Sequence, residues 1–416
     1  MTATLIPSPP VDDRPAHRDP NVLRWLGAYT SSMIGDSVYY IALSWAAVQS
    51  GTPSQAGLVM AVSALPRALL MLGGGVIADR LGPRRVVIGS DAVRCAAVLA
   101  VAALLFFTSP GLWPLAALAL VFGTVDAVFL PAVGALPARM TTRGQLARVQ
   151  GMRGLAIRFA IVVGAPLGGF SVAAGGAATA FALAGLLIAV SVPLLVSVRM
   201  RELPSDEEAD VRDSTAWSDL VAGLRYIRRH RVLAPLVLAI ALGDLGFVGP
   251  LNVGLTLLAD ERGWGASGVG WILAGLGVGA GAAALLLAVR GRIPYAGHVA
   301  GCSLLLGAVA IGALAYAPGV TVAVGTALLV GLLAGLSGAL CGALLQTQSD
   351  PAYLGRVTAV AGLVSLGLAP LSMPVSAAAI GVWGPGPVFV VSAAVCGLGG
   401  VVALCARDLR RAELPR

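Results

Sequence analysis

Apolar residues run in long stretches along this chain, and polar residues gather in short clusters between them. Twelve stretches stand out, near 23–49, 56–78, 86–108, 113–137, 149–173, 177–198, 233–259, 267–289, 296–316, 320–346, 357–380 and 387–406. Each reaches the roughly 20 residues that a helix needs to cross a bilayer. The pattern predicts an all-α, polytopic membrane protein of twelve transmembrane helices. Residues 1–20 are polar, carry five prolines and lack an apolar core. They are expected to form a disordered tail and not a cleaved signal peptide.

The connections alternate in character. Those at 50–56, 109–113, 174–178, 317–320 and 382–386 are short and nearly uncharged. The others, with the two tails, hold every arginine except Arg67, Arg94, Arg153, Arg158 and Arg262. Basic loops stay on the cytoplasmic side, so both termini are expected there, in a plasma-membrane protein. Trp113, Trp264 and Trp383 fall in the opposite loops, where an aromatic belt would sit. The long connection 199–232 divides the chain into a first bundle, 21–198, and a second, 233–406, with a short tail at 407–416. It opens on an acidic cluster and ends in Trp217, Leu220, Val221, Leu224 and Ile227 at helical spacing, backed by Arg225, Arg228 and Arg229. Two readings are open: an amphipathic helix on the membrane surface, or a solvated linker with a helical tail.

Composition narrows the function. The 416 residues are 57% hydrophobic and 12% charged, about half the charge of a soluble domain. A soluble enzyme and a nucleic-acid binder are thereby disfavoured, although the net charge is +8 and all the basic residues are arginine. Cys95, Cys302, Cys341, Cys396 and Cys405 lie scattered in apolar runs, and His17, His230 and His298 lie apart. No metal or cofactor is expected from them.

The halves superimpose in sequence at a constant offset of 208 residues. Gly35-Asp36 falls on Gly243-Asp244, Arg84 on Arg292, Arg148-Val149 on Arg356-Val357, and Pro166 on Pro374. Six helices repeated in one orientation predict two bundles related by an axis along the membrane normal, with a substrate site between them near the midplane.

Between the second and third stretches stand Gly75, Asp79, Arg80, Gly82, Pro83, Arg84 and Arg85. This segment resembles the G-x-x-x-D-[RK]-x-G-[RK]-[RK] loop signature of the Major Facilitator Superfamily, with Pro83 in place of a basic residue. Residues 136–150, Gly223–His230 and Gly355–Val357 are similar to the enterobactin-exporter and macrolide-efflux branch. The resemblance implies a secondary transporter, not an enzyme. It implies alternating access, export of a hydrophobic or amphipathic small molecule, and exchange for protons. It also implies that Gly75, Asp79, Arg80, Gly82, Arg84, Arg85 and Arg356 control gating. Gly164, Pro166 and Pro374 are the candidate flexing points. Segment 4 has no central arginine and the segment 5 proline is displaced by one place, which departs from the drug–proton antiporter pattern. Uptake of a metabolite and a non-transporting sensor remain the alternatives, and a monomer is expected.

Candidate site residues come from charge at depth. Counting about 1.5 Å of rise per residue from flanking charged residues puts Asp36, Arg67, Asp126 and Asp244 near the midplane. An ionised side chain there costs at least about 2.5–3.5 kcal/mol and needs a partner or a cavity. Asp36 and Arg67, at equal depth on adjacent segments, are either pathway residues or a structural ion pair, and Tyr39 or Tyr40 is expected to face a ligand pocket. Asp126 is either a pathway residue or a packed neutral carboxyl. Asp244 has no arginine at its depth in its own half, so it is the candidate for a proton-carrying or substrate-facing group. Asp91 and Arg94 are read as a local structural pair near the inner end of segment 3, and Arg153 and Arg158 as snorkelling to the surface.

Overall fold

The computed structural model describes residues 18–108, 111–141, 143–198, 216–290, 294–350, 353–367 and 371–413. The helices are α1 (Pro20–Ser50), α2 (Pro53–Leu81), α3 (Pro83–Phe107), α4 (Trp113–Met140), α5 (Arg143–Ser197), α6 (Ala216–Arg229) and α7 (Leu233–Gly249). After a π turn at Pro250–Gly254 come α8 (Leu255–Glu261), α9 (Gly265–Arg290), α10 (Ala296–Leu314), α11 (Val320–Gln348), α12 (Leu354–Gly367), α13 (Ser372–Trp383), α14 (Pro385–Cys405) and α15 (Arg407–Arg410). Within the described residues the apolar runs fall on these helices, the run at 357–380 being shared between α12 and α13. Among the described residues, eight helical spans are long and apolar enough to cross a membrane.

Local chemistry sets the boundaries. α1 begins inside the expected polar tail because Asp19 caps it, accepting from the Asn21 amide at 2.8 Å, with Pro20 in the first turn. Thr52 and Gln55 form a capping box at the start of α2. Gly82 joins α2 to α3 at φ +84°, a conformation that a side chain would strain. The runs at 149–173 and 177–198 become two arms of α5, broken at Gly175 and Gly176. In the seventh run Pro250 lacks an N–H, and the backbone takes a π turn there.

Helix ends repeat as the sequence offset predicts. Shifted by 208, Trp113–Met140 becomes 321–348, against Val320–Gln348 for α11, and Ser197 falls on Cys405, the last residue of α14. Within each half, small residues let helices meet backbone to backbone. A Cβ on Gly123 of α4 would lie 2.1 Å from the Ser63 carbonyl of α2, and one on Gly331 of α11 would lie 2.0 Å from that of Leu276 on α9.

The halves meet most closely at the end that carries the short connections. One buried apolar cluster there spans both, from Tyr39, Leu43 and Met60 to Val253, Leu257, Ala266, Met373 and Ala377. At the opposite end Leu155 and Phe159 are exposed, and a Cβ on Gly151, Gly154, Gly338 or Gly342 would meet nothing within 4 Å. The fold is therefore closed at one end and cleft at the other.

Candidate functional site

In the first half, α1, α3 and α4 bring three carboxylates around one guanidinium. Arg94 is fully buried. It donates to both Asp36 carboxylate oxygens, at 3.1 and 2.9 Å, to Asp126 at 3.3 Å and to the Ser32 hydroxyl at 3.2 Å. It also pairs with Asp91, one helical turn away. The Arg94 guanidinium lies 4.0 Å from the centre of the Phe129 ring. Ser32 and Ser191 donate to the two oxygens of Asp91, which fixes the base of the cluster. At its other edge Arg67 donates to the Tyr40 hydroxyl at 3.4 Å and stands 3.7 Å from Asp126. Tyr40 in turn donates to Asp126 at 3.5 Å. With all five groups ionised, three carboxylates and two guanidiniums leave one net negative charge.

Two expectations are corrected here. Asp36 pairs with Arg94, not with Arg67, whose carboxylate partner is Asp126. Asp91 and Arg94 do pair locally, but Arg94 is the hub of the cluster and not a peripheral residue. Asp126 is buried, 3.3 Å from Arg94 and 3.7 Å from Arg67. The tyrosines divide as helix geometry requires: Tyr39 is buried and stacks on Phe122 with ring centres 3.7 Å apart, while Tyr40 faces the charges.

The second half holds a cavity of about 580 Å³ where the first half holds the cluster. Asp244 lines it among small and apolar residues, including Gly243, Gly307, Ala334, Gly335 and Ile311. Ser365 on α12 is the polar neighbour of the Asp244 carboxyl, and among the described residues no arginine pairs with it. Arg158 of α5 lines the same cavity from the first half, which corrects the reading of Arg158 as a snorkelling residue. It is exposed, ten residues into the apolar span that starts at Arg148, about 15 Å along the helix. Arg153 stands with its guanidinium 5.3 Å from the Tyr29 ring centre.

Leu276 also lines a smaller polar pocket of about 180 Å³ nearer the closed end, with Ser37, Tyr40, Ser44, Asn252 and Thr256. The seal beyond it is built across the halves. Ser44 and Thr256 share a hydrogen bond of 2.6 Å, and the Gln49 amide donates to Asp260 at 2.6 Å. A Cβ on Gly57 would lie 2.3 Å from the Ala377 Cβ and 3.1 Å from Pro374, and one on Gly270 would lie 2.5 Å from the Ala165 carbonyl and 3.1 Å from Pro166. Gly164 abuts Ser37 in the same way. The three candidate flexing residues thus sit on close-packed helix contacts beside the seal. Among the described residues no grouping of His, Cys, Asp and Glu is suited to a metal ion.

The sequence profile of the Major Facilitator Superfamily matches residues 25–294. The chain belongs to this superfamily. Across the superfamily, the multidrug efflux pump Tap of Mycolicibacterium fortuitum is 26% identical over 95% of this chain and 98% of that protein. The enterobactin exporter EntS of Shigella boydii is 25% identical over 73% of this chain and 71% of its own length. The solved nucleoside transporter NupG superimposes with a TM-score of 0.68 at 14% identity, covering 94% of this chain and 99% of that one. The protein is an integral membrane transporter with efflux relatives. Of its superfamily loop signature, Gly82 makes the turn, Arg84 donates to the Val196 carbonyl at 2.6 Å and Arg85 is exposed. The side chains of Asp79 and Arg80, and the surroundings of Gly75, lie outside the described residues. The Arg356 guanidinium lies 5.5 Å from the Tyr353 ring centre, at the start of α12.

Sequence reasoning missed Arg94 and Arg158 as site residues. The signal for both was depth, measured from the true helix start and not from the nearest flanking charge.

Proposed function

We propose that this transporter exports hydrophobic or amphipathic small molecules by alternating access, driven by inward proton movement, with both termini in the cytoplasm. The observation that carries the reading is the cavity of the second half, which Arg158 of the first half also lines: largely apolar, furnished with one carboxylate and one arginine, and lying below a seal at a single end of the fold. Its volume suits a drug-sized ligand, and its lining suits an apolar body carrying few polar groups. With the termini inside, the cleft opens to the cytoplasm and the seal faces outward. Asp244 then exchanges a proton for substrate, while the first-half cluster holds its helices together. Gating follows from breaking the Ser44–Thr256 and Gln49–Asp260 contacts and closing the opposite end around the loop signature.

The test is flux in proteoliposomes with an imposed pH gradient, using ethidium as a lipophilic-cation probe. Accumulation that collapses on dissipating the gradient supports the reading. Equilibration without concentration, at every imposed gradient, overturns proton coupling. For orientation, cysteines placed at Ser54 and Ser109 should label with an impermeant thiol reagent added to intact cells, and one at Thr142 should not.

A further inference from the structure

The linker helix α6 is two-faced, and only one face is occupied. Its Gly223, Tyr226 and Ile227 face packs against the second half. Gly223 lies so close to the Arg356 backbone that a Cβ would sit 2.9 Å from its carbonyl oxygen. Tyr226 stacks on Tyr353 with ring centres 4.5 Å apart and planes within 5°, and its hydroxyl accepts from the Asp350 amide at 3.3 Å. Ile227 is buried with Leu233, Leu344 and Val357. To the two readings of this segment, an amphipathic helix on the membrane surface or a solvated linker with a helical tail, the structure adds that one face of α6 is docked on protein.

Its other face carries Val221, Leu224, Arg225, Arg228 and Arg229, all exposed, and among the described residues these five alone border the shallow crevice along it. Among the described residues no carboxylate pairs with these arginines. The helix sits beside the end of α11 and the start of α12, at the level where membrane-length helices leave the apolar layer. Arg228 and Arg229 occupy its last turn. Guanidiniums over an apolar floor at that level match a phosphodiester above acyl chains.

We infer that this crevice is a binding site for an anionic phospholipid of the leaflet on the side of the chain termini. The lipid's phosphate is held by Arg225, Arg228 and Arg229, and its chains lie on Val221 and Leu224. The inference rests on the membrane placement of the chain but not on its substrate or on proton coupling. The chain's own acidic stretch Glu202–Asp210 is the competing occupant. It offers charge but almost no apolar surface for Val221 and Leu224.

The test uses the purified full chain equilibrated with equal amounts of phosphatidylglycerol and phosphatidylcholine of identical acyl chains, with co-purifying lipid measured by mass spectrometry. Wild-type protein should be enriched in phosphatidylglycerol. Replacing all three residues (Arg225→Gln, Arg228→Gln, Arg229→Gln) should lower that enrichment about tenfold. Lysine at the same positions should retain most of it, because charge is kept. The matched control removes three arginines from the same face of the molecule (Arg407→Gln, Arg410→Gln, Arg411→Gln) and should stay within about twofold of wild type. Equal losses in both triple variants would reduce the effect to diffuse surface charge and overturn the site. A wild type with no lipid preference would overturn it as well. So would a several-fold rise on replacing Asp206, Glu207, Glu208 and Asp210 by amides, which would assign the crevice to the linker.

Discussion

The two halves share a scaffold and a Gly-Asp pair on their first helices, yet they spend the midplane differently. Asp36 enters a cluster with Arg94, whereas Asp244 opens into a cavity. The offset of 208 shows how the difference was made. Asp91, Arg94 and Asp126 have Val299, Cys302 and Ala334 as counterparts, and Arg67, Ser32 and Ser191 have Gly275, Ile240 and Gly399. Each exchange removes a charge or a hydroxyl, and most leave a smaller or apolar side chain. In the first half charge is spent on holding helices together; in the second, its removal leaves space with one carboxylate facing it. The comparison teaches that the repeat predicts where a functional group stands but not what it does.

The hardest blow to the comparison is Arg94→Met. It strands Asp36 and Asp91 without a guanidinium, and breaking a buried pair in this way costs about 3–5 kcal/mol. The expected result is a large fall in membrane abundance and in melting temperature in detergent. Removing all five charges together (Asp36→Asn, Arg67→Gln, Asp91→Val, Arg94→Cys, Asp126→Ala) should recover part of that loss, since an uncharged replacement of a whole network is far milder than its truncation. A single variant that melts like wild type would show that the cluster does not hold the first half.

The aspartates come next. Asp36→Asn should destabilise by about 2–4 kcal/mol, because it weakens charge-assisted bonds to a buried arginine. Asp244→Asn should leave the melting temperature nearly unchanged, since its carboxyl has Ser365 and the cavity around it. Its effect should fall on energetics of transport: the substrate equilibrates but is not concentrated by a pH gradient. Concentration that survives in Asp244→Asn would leave the matched pair as architecture alone. Adding Arg94→Met to Asp36→Asn should cost less than the two losses taken separately, whereas adding Arg67→Gln should give no such relief.

Much of this was legible before any coordinates. Apolar run length placed the helices, and Gly82 marked one turn, whereas Asp19 and the Gly175-Gly176 pair, which set helix ends by ordinary cap and turn chemistry, were passed over. The offset located Asp36 and Asp244. The hub was not legible because depth was counted from the wrong origin. α3 starts at Pro83, so Arg84 and Arg85 already lie in its first turn, and Arg94 is eleven residues inside, about 17 Å along the axis. That is deep enough to meet Asp36 and Asp126. The cavity was hidden for a different reason: it is made by what Gly243, Gly307, Ala334 and Gly335 lack, and small residues in a glycine-rich chain look alike whether they pack a neighbour or line a space.

A milder perturbation acts on the seal. At Gly57 any side chain must displace Ala377 and Pro374, and overpacking of this kind typically costs about 1–3 kcal/mol. Gly57→Val should therefore favour the form with the seal open. A reporter cysteine at Ser37, which lines the pocket beneath the seal, should then react about tenfold faster with an impermeant thiol reagent, matching about 1.4 kcal/mol. An unchanged rate would show that the α2–α13 contact is not part of the gate.

The smallest effect is expected where the halves meet as near equals. Ser44 and its repeat counterpart Asn252 both line the polar pocket, so here the duplication kept polarity on both sides, and the bond from Ser44 crosses to Thr256. One neutral hydrogen bond contributes about 0.5–1.5 kcal/mol. Ser44→Ala and Thr256→Val should each speed labelling of the same reporter by a few-fold. The double variant should be no faster than the worse single one, because the two hydroxyls serve one bond. The direction matters more than the size: removing this bond should open the seal without altering melting temperature, the reverse of what Arg94→Met does. Fully additive single effects would mean that the two hydroxyls act separately and share no bond across the seal.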